Sequence, residues 1–337
     1  MRQAMRPCRY SEGTMGSKEN ILLLSAGRRV ELLRAFKVEV KSRGIGGGVF
    51  ATDMNPSTSA ACRVADQAFR MPSVTDEGYL DELLKLCEEQ RVGLVIPTID
   101  TELIGLAAAK ARFSESGIQI VISDEALVRT CRDKRQMAAL FASLDIGTPA
   151  LMDPSHLTFP CFSKPYDGSR SVGAKKLSAP SDLTDSMRND PKLIFMEYID
   201  STYDEFTVDA YFDRNGTLKC LVPRHRLEVR DGEVSKGVTR RGRVYDYLKD
   251  RLKKIQGARG CLTVQLFASS EGSRYAALEI NPRFGGGYPL SYAAGASFPG
   301  WLIDEYILGS AVSFFDEWQP DLLMLRYDAQ VLVRDAI

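Results

Sequence analysis

A short stretch in the last third of the chain combines several side chains that can do chemistry. Residues 278–287 read Leu-Glu-Ile-Asn-Pro-Arg-Phe-Gly-Gly-Gly, with a carboxylate at Glu279, an amide at Asn281 and a guanidinium at Arg283. On a β-strand, Glu279 and Asn281 point to the same face because they are two residues apart. Carboxylate and amide oxygens are ligands for Mg²⁺. A polar strand edge followed by a glycine-rich loop is the alternative interpretation.

The segment before this stretch predicts a β-hairpin that adds a third ligand. Residues 262–268 and 275–281 have strand character, and 269–273 (Ser-Ser-Glu-Gly-Ser) has the composition of a turn. If the hairpin is symmetric about Gly272, Gln265 lies directly opposite Glu279. Their Cβ atoms would then be roughly 5 Å apart. The predicted magnesium ligands are therefore Gln265, Glu279 and Asn281.

Two lysines upstream could bind phosphate groups. Lys164 ends the predicted strand 159–164 and leads into the loop Pro-Tyr-Asp-Gly-Ser-Arg-Ser-Val-Gly, which contains Ser169, Ser171 and Gly173. Backbone N–H groups and hydroxyls of such a loop donate to phosphate oxygens, and lysine adds charge. Lys134, on a predicted helix, is a second candidate. A surface hairpin and a solvated lysine would explain these features as well, and the Walker A pattern is absent.

The next segment could bind an adenine nucleoside. Residues 193–199 form an apolar predicted strand interrupted by Glu197, and Glu205 opens the next strand, 206–212. Backbone groups at 197–199, including Tyr198 and Ile199, could read the adenine edge, and Glu205 could bind the ribose hydroxyls. An exposed acid at the start of a strand is the alternative for Glu205.

The elements that precede these motifs predict a separate α/β domain. Between residues 20 and 125, strands at 20–24, 49–53, 93–97 and 118–122 alternate with helices at 30–40, 78–89 and 100–112. This order is typical of a parallel sheet with helices on both faces, and ligands bind at the carboxyl ends of such strands. Three loops lie there, at 27–29, 53–55 and 98–102. Arg28 and Arg29 could contact a small anionic substrate or lie on a helix surface. G-x-G-x-x-G is missing, which argues against a dinucleotide.

Composition limits the class of protein. The 337 residues include 44 basic and 44 acidic side chains, so the formal net charge of zero argues against bulk binding to nucleic acid or membranes. Seven cysteines without a CxxC pair and only two histidines make a zinc site unlikely and suit a reducing cytoplasm. Residues 1–18 have no signal-peptide core and are interpreted as a disordered leader. A helical stretch at 292–308 and a long final strand at 322–333 complete the prediction.

The order of these motifs resembles that of the ATP-grasp superfamily. It is most similar to the branch that includes the large subunit of carbamoyl phosphate synthase, in which a Gln stands fourteen residues before the Glu of an E-x-N-P-R motif, as Gln265 does here. The resemblance covers about 20–325 and includes one ATP-grasp unit, with no second unit and no glutaminase-like part. It implies a Rossmann-like pre-ATP-grasp domain at 19–124, a small lobe at 125–194 and a large lobe with the metal site at 195–337.

The resemblance also implies a reaction and its cofactors. ATP would phosphorylate a substrate carboxylate, and an amine would displace phosphate from the acyl phosphate to form an amide. The implied cofactors are ATP and one or two Mg²⁺ ions, which Mn²⁺ could replace. The substrates would be small, amino-acid-like carboxylates and amines, and a homodimer is common among relatives. A non-catalytic nucleotide-binding regulator and an enzyme that releases the acyl phosphate are the alternatives.

Carried over residue by residue, the resemblance gives each candidate a role. Lys134, Lys164 and the loop with Ser169, Ser171 and Gly173 would contact the phosphates. Glu197, Tyr198 and Ile199 would bind adenine, and Glu205 the ribose. Arg283 would stabilise the transferring phosphoryl group. The basic segment 222–241 would lie between nucleotide and acceptor, with Lys236 on the phosphate or acyl phosphate and Arg224 or Arg240 on a substrate anion.

Overall fold

The N-terminal part of the protein is a parallel α/β domain. The computed structural model describes residues 18–168, 172–230 and 232–334, so the predicted leader lies almost entirely outside the described residues. Five parallel strands are arranged in the order β3-β2-β1-β4-β5. Their bounds are β1 Asn20–Leu23, β2 Val49–Asp53, β3 Gln67–Arg70, β4 Val92–Ile96 and β5 Gln119–Ile120.

Helices connect these strands, as the alternating pattern predicted. The helices are α1 Val30–Ser42, α2 Ala60–Val64, α3 Tyr79–Glu89 and α4 Leu103–Glu115, with 3₁₀ turns at Pro56–Thr58 and Asp100–Glu102. The central strands β1 and β4 are almost fully buried, which explains their continuous apolar sequences. The prediction missed β3 because this edge strand, Gln-Ala-Phe-Arg, is mostly exposed and polar.

A small antiparallel sheet follows two linking helices. The helices are α5 Glu125–Arg132 and α6 Lys134–Ser143, and the sheet has the strand order β6-β9-β7-β8. Its strands are β6 Leu151–Met152, β7 Cys161–Pro165, β8 Lys175–Leu177 and β9 Leu193–Glu197, with a 3₁₀ turn at Pro180–Asp182 and the short helix α7 Asp185–Arg188. Lys164 therefore lies near the end of β7, as predicted from the sequence.

The C-terminal part is organised around a six-stranded antiparallel sheet. Its strand order is β14-β13-β10-β11-β12-β15. The strands are β10 Tyr203–Phe212, β11 Leu218–Arg230, β12 Glu233–Thr239, β13 Gly260–Ser269, β14 Tyr275–Asn281 and β15 Leu323–Leu325; the helices are α8 Arg243–Leu252, α9 Tyr288–Ala293 and α10 Phe298–Tyr306. One face of this sheet packs into the largest hydrophobic core, which also contains α1, α8 and α10.

The hairpin register agrees with the sequence-based prediction. Gln265 pairs with Glu279, and Thr263 pairs with Asn281. Gly272 has φ = +71° in the connecting turn, a conformation that glycine adopts without strain. Gln265, Glu279 and Asn281 therefore share one face of the sheet.

Two predictions about the C-terminal region were wrong. The predicted final strand 322–333 is reduced to β15 Leu323–Leu325, because beyond it the chain leaves the sheet edge and its apolar side chains, such as Leu332, stay exposed. The helical stretch 292–308 is divided between α9 and α10. Gly295, at φ = +101°, interrupts the helical backbone between them. Within the described residues, no helix is long and apolar enough to cross a membrane.

Candidate active site

The predicted metal ligands form one hydrogen-bonded group on the large sheet. The Asn281 side-chain amide donates to Glu279 Oε1 at 2.9 Å. The Gln265 amide donates to Glu205, which also accepts a hydrogen bond from Arg226 Nη1 at 2.8 Å. Each amide group also carries an oxygen, which can act as a metal ligand. Gln265, Glu279 and Asn281 thus supply one carboxylate and two amides at adjacent positions.

Two lysines from different elements lie close to Glu279. Lys134 begins α6, and its Nζ donates to the Gly168 carbonyl at 2.5 Å. Burial lowers the pKa of Lys164 to about 8; Glu279 acts in the opposite direction, and Lys134 lowers the pKa further. Burial also lowers the pKa of Lys134, and Glu279 again opposes this. Neither lysine has a carboxylate within ion-pair distance in the part of the chain that the structure describes, so both are positioned to receive an anion.

The phosphate loop is only partly described. Ser169 and Ser171 lie outside the described residues. Gly173 has φ = +73°, and a Cβ at this position would approach Pro165 to 3.1 Å. Gly173 therefore lies against Pro165 at the end of β7, and its positive φ favours glycine at this position.

The predicted adenine-binding segment borders an apolar crevice. The crevice is lined by Lys134, Ala138, Phe141, Thr148, Pro149, Leu151, Met196, Ala277 and Leu278. The Glu197 carboxylate is engaged by Arg274, with Nη1 2.6 Å from Oε1, and this pairing lowers the pKa of Glu197. Tyr198 lies under Lys176, whose Nζ is 4.1 Å from the ring centroid. Because the Glu197 side chain is occupied, contacts to adenine at residues 197–199 would come from the backbone.

Arg283 is fixed by a carboxylate from the N-terminal domain. Its Nε and Nη2 lie 3.1 and 2.7 Å from the two oxygens of Asp100, and Nη1 donates to the Phe284 carbonyl at 3.1 Å. Burial alone would lower the pKa of Arg283, but Asp100 raises it above its usual value. Asp100 was not predicted from the sequence, because the two residues are 183 positions apart. Its place in the 98–102 loop, at the carboxyl edge of the parallel sheet, was the available signal.

The loops at that edge are joined by partly buried hydrogen bonds. Glu102 accepts from the Thr98 N–H at 2.6 Å and from the Ser25 hydroxyl at 2.8 Å, and burial raises its pKa to about 7. Asp53 accepts from the Gly27 N–H at 3.2 Å. Arg29 Nη2 donates to the Thr98 carbonyl at 3.1 Å. Hydrogen bonds thus link the three loops identified in the sequence, and the 98–102 loop carries Asp100, the partner of Arg283.

Arg224 lies beneath the glycine loop and not in the open cleft. Its guanidinium forms two hydrogen bonds with Asp209, at 2.7 and 3.0 Å, and both side chains are fully buried. Ser291 also donates to Asp209, at 2.6 Å. Arg224 Nη1 has no hydrogen-bond partner among the described residues. A Cβ on Gly287 would overlap this guanidinium, which explains the glycine there.

The structure does not bring Lys236 and Arg240 into the Glu279 group. Lys236 Nζ is 2.6 Å from Glu228 Oε2, and Arg240 pairs with Asp321. All four side chains are about half exposed. The roles predicted for Lys236 and Arg240 would require these surface ion pairs to open. The sequence shows the basic residues, but it does not reveal which carboxylates pair with them in the fold.

The residues around Glu279 suit a magnesium site completed by phosphate oxygens. No set of three or more His, Cys, Asp or Glu side chains could hold a metal ion in the described chain. A single carboxylate with two amides is a weak site by itself, but Mg²⁺ is often held by one or two carboxylates plus substrate phosphates. The adjacent lysines with lowered pKa values supply the positive charge that would hold those phosphates.

Two family models match the sequence. Residues 21–121 match the model "PylC-like, N-terminal domain", and residues 189–326 match "ATP-grasp in the biosynthetic pathway with Ter operon". The second match places residues 189–326 in the ATP-grasp superfamily, as the motifs predicted. The narrower assignment to the carbamoyl-phosphate-synthase-like branch stays a prediction. None of the curated proteins compared with the sequence matches it significantly.

Several solved structures share the fold over most of the chain. The biotin carboxylase domain of Hydrogenobacter thermophilus 2-oxoglutarate carboxylase is 15% identical and has a TM-score of 0.71, with 90% of this chain and 73% of that chain covered. N5-carboxyaminoimidazole synthetase from Staphylococcus aureus is 16% identical (TM-score 0.66; 91% and 80% covered). An L-amino acid ligase from Bacillus licheniformis is 13% identical (TM-score 0.64; 86% and 74% covered). These similarities confirm the fold: a Rossmann-like domain followed by a two-lobed ATP-grasp.

Proposed function

We propose that this protein is an ATP- and Mg²⁺-dependent ligase that joins a carboxylate to an amine and releases ADP and phosphate. The observation that carries the proposal is the convergence of Lys134 and Lys164 on Glu279. Glu279 acts on both lysines but is not within ion-pair distance of either, so a further anion bound between them would stabilise their charge. A polyphosphate fits this need, and the adjacent crevice, lined mainly by apolar side chains, would have to widen to take an adenine ring. Two of the similar structures contain ADP, one of them as its magnesium salt.

The protein's own residues would act by positioning and charge. Lys134 and Lys164 would hold the phosphate oxygens, and the loop with Ser169, Ser171 and Gly173 would cover them. Glu279, with the amides of Gln265 and Asn281, would hold one or two Mg²⁺ ions, which would neutralise charge on the β- and γ-phosphates. Phosphoryl transfer depends mainly on such positioning and needs no covalent nucleophile from the protein.

Arg283 would stabilise the group that is transferred. The substrate carboxylate oxygen attacks the γ-phosphorus, the bond to the bridging oxygen of ADP breaks, and an acyl phosphate forms. The amine then attacks the acyl carbon, phosphate leaves, and the nitrogen loses a proton. Because Asp100 fixes the guanidinium of Arg283, its charge is in place before reaction, as electrostatic stabilisation requires.

Other predicted contacts require local rearrangement. Glu205 would have to exchange its contacts with Arg226 and Gln265 for the ribose hydroxyls. Lys236 and Arg240 would have to leave their surface carboxylates to reach the acyl phosphate or a substrate anion. The substrates proposed are small, amino-acid-like molecules, and a homodimer is the proposed assembly.

The test is ADP release in a panel of carboxylates and amines with Mg²⁺ and ATP. We expect a pair of substrates to raise ADP release above the rate with either alone, and EDTA to abolish it, with Mn²⁺ partly replacing Mg²⁺. The matched variants are Glu279→Gln and Glu271→Gln, which lie on the same hairpin; Glu271 is exposed at its tip. Release driven by a carboxylate alone would favour an acyl-phosphate-forming enzyme, and nucleotide binding without any turnover would favour a regulator.

A further inference from the structure

Four arginines are electrostatic neighbours of Glu233 or of one another where the N-terminal domain approaches the glycine loop. We call Arg28, Arg29, Arg283 and Arg326 the arginine cluster. Two carboxylates neutralise part of it: Asp100 pairs with Arg283 at 2.7 Å, and Glu233 pairs with Arg326 at 2.9 Å. The cluster retains a positive charge because its arginines outnumber these two ion-paired carboxylates.

Within the cluster, Arg29 carries a charge that no carboxylate neutralises directly. Its Nη2 donates to the neutral carbonyl of Thr98 at 3.1 Å, and it has no ion pair in the described chain. Burial lowers the pKa of Arg29 to about 10, and Arg283 lowers it further, while Glu233 and Asp100 oppose these effects. A guanidinium with such neighbours is electrostatically unfavourable until an anion binds it.

The cluster adjoins the glycine loop that follows the metal ligands. Arg326 Nη2 donates to the Gly286 carbonyl at 3.0 Å, and a Cβ on Gly286 would come within 2.9 Å of Glu233. Arg283 is two residues after Asn281 and faces Asp100, which lies two residues beyond the Thr98 carbonyl bound by Arg29. The unpaired guanidinium is therefore close to where the acyl phosphate would form, but on the side of the N-terminal domain.

We propose that Arg29 binds an anionic group of the acid substrate, a carboxylate or phosphate distinct from the carboxylate that is activated. This inference rests on the proposed ligase function and adds the class of substrate: an acid with a second negative group. Guanidinium pairs with both carboxylate and phosphate through two parallel hydrogen bonds, which makes the contact selective. Arg29 is then a specificity-determining residue, while Lys134 and Lys164 serve the nucleotide.

The first test measures the stability of the unliganded protein. Arg29→Gln keeps an amide donor for Thr98 but removes the charge, so we expect its thermal unfolding midpoint to be equal to or higher than that of the wild type. Arg34→Gln, on the same helix, is the control because Arg34 forms an exposed ion pair with Glu31. A lower midpoint for Arg29→Gln than for Arg34→Gln would indicate a structural arginine and overturn the proposal.

The second test measures anion binding without ATP. Malonate, glutarate and phosphate, compared with acetate at equal ionic strength, should stabilise the wild type, and Arg29→Gln should weaken their binding by about tenfold. Stabilisation by glutarate but not phosphate, or the reverse, identifies which second anion the substrate carries. Equal binding of these anions to both proteins overturns the proposal.

A third measurement separates this inference from the ligase function. Binding of MgADP should change less than twofold between Arg29→Gln and wild type. If acids with a second anion support turnover in the wild type, Arg29→Gln should raise their KM while acids with one carboxylate are unaffected. If MgADP binds but no acid and amine raise ADP release, the ligase function fails, whereas the anion-binding result still decides the role of Arg29.

Discussion

Nucleotide binding should be coupled to protonation of Lys164. Burial lowers the pKa of Lys164 to about 8 in the free protein, and a bound polyphosphate would restore it toward the value of about 10.4 for an exposed lysine. At pH 8.5 roughly three quarters of the free protein has a neutral Lys164, so binding of MgADP should take up roughly 0.75 proton at this site. Because the bound state holds more protons, the affinity should fall as the pH rises above 8.

The size of the pH effect follows from the same pKa values. Between pH 8 and pH 9 the fraction of free protein with a charged Lys164 falls from about one half to about one eleventh, so the affinity should weaken about fivefold. Proton uptake is measured by titration calorimetry in two buffers with different ionisation enthalpies. Lys164→Arg is the matched control, since arginine stays charged across this range.

The control variant also defines what would refute this reasoning. Lys164→Arg should bind MgADP with clearly less proton uptake than the wild type, and any remaining uptake reports Lys134 and other groups. Lys164→Met should bind weakly, with a flatter dependence on pH. Equal proton uptake by the wild type and Lys164→Arg would show that Lys164 is not the titrating group at the phosphate site.

Three further predictions follow from individual contacts. Glu279→Gln should lower ADP release by about 100-fold or more while the unfolding midpoint stays close to that of the wild type; near wild-type turnover would contradict the metal assignment. Asp209→Asn should lower the free energy of unfolding in urea by about 3 to 5 kcal/mol, because it leaves the buried charge of Arg224 without its counter-ion; a loss under about 1 kcal/mol would show that the pair is not needed. Gly287→Ala should place a Cβ against Arg224 and Val234, so we expect both the unfolding midpoint and the rate of ADP release to fall. Both quantities are measured on the same sample, and unchanged values would show that the loop moves aside.

The sequence predicted the structure correctly where the structure depends on the local alternation of side chains. Gln265 and Glu279 were matched because a hairpin with a glycine turn has only a few registers, and side chains alternate along each strand. The alternation of strands and helices likewise gave the parallel sheet. The edge strand Gln67–Arg70 was missed because an exposed strand lacks the apolar pattern on which such predictions rely.

Ion pairs between residues far apart in the chain could not be predicted from the sequence. Arg283 was predicted to stabilise the transferring phosphoryl group, but its ion pair with Asp100 of the N-terminal domain was not predicted. Lys236 was predicted to contact the phosphate or acyl phosphate because it lies in a basic segment. Only the structure shows its ion pair with Glu228. Such pairs depend on how whole elements pack, and no local pattern marks them.

The central claim is that a substrate carboxylate is activated as an acyl phosphate. The most direct measurement uses an acid found in the substrate panel, labelled with ¹⁸O in its carboxylate, together with ATP, Mg²⁺ and the amine. We predict that the released phosphate carries one ¹⁸O atom, detected by its ³¹P NMR shift, and that ADP is the nucleotide product. Amide formation with unlabelled phosphate, or with AMP and pyrophosphate as products, would contradict the mechanism.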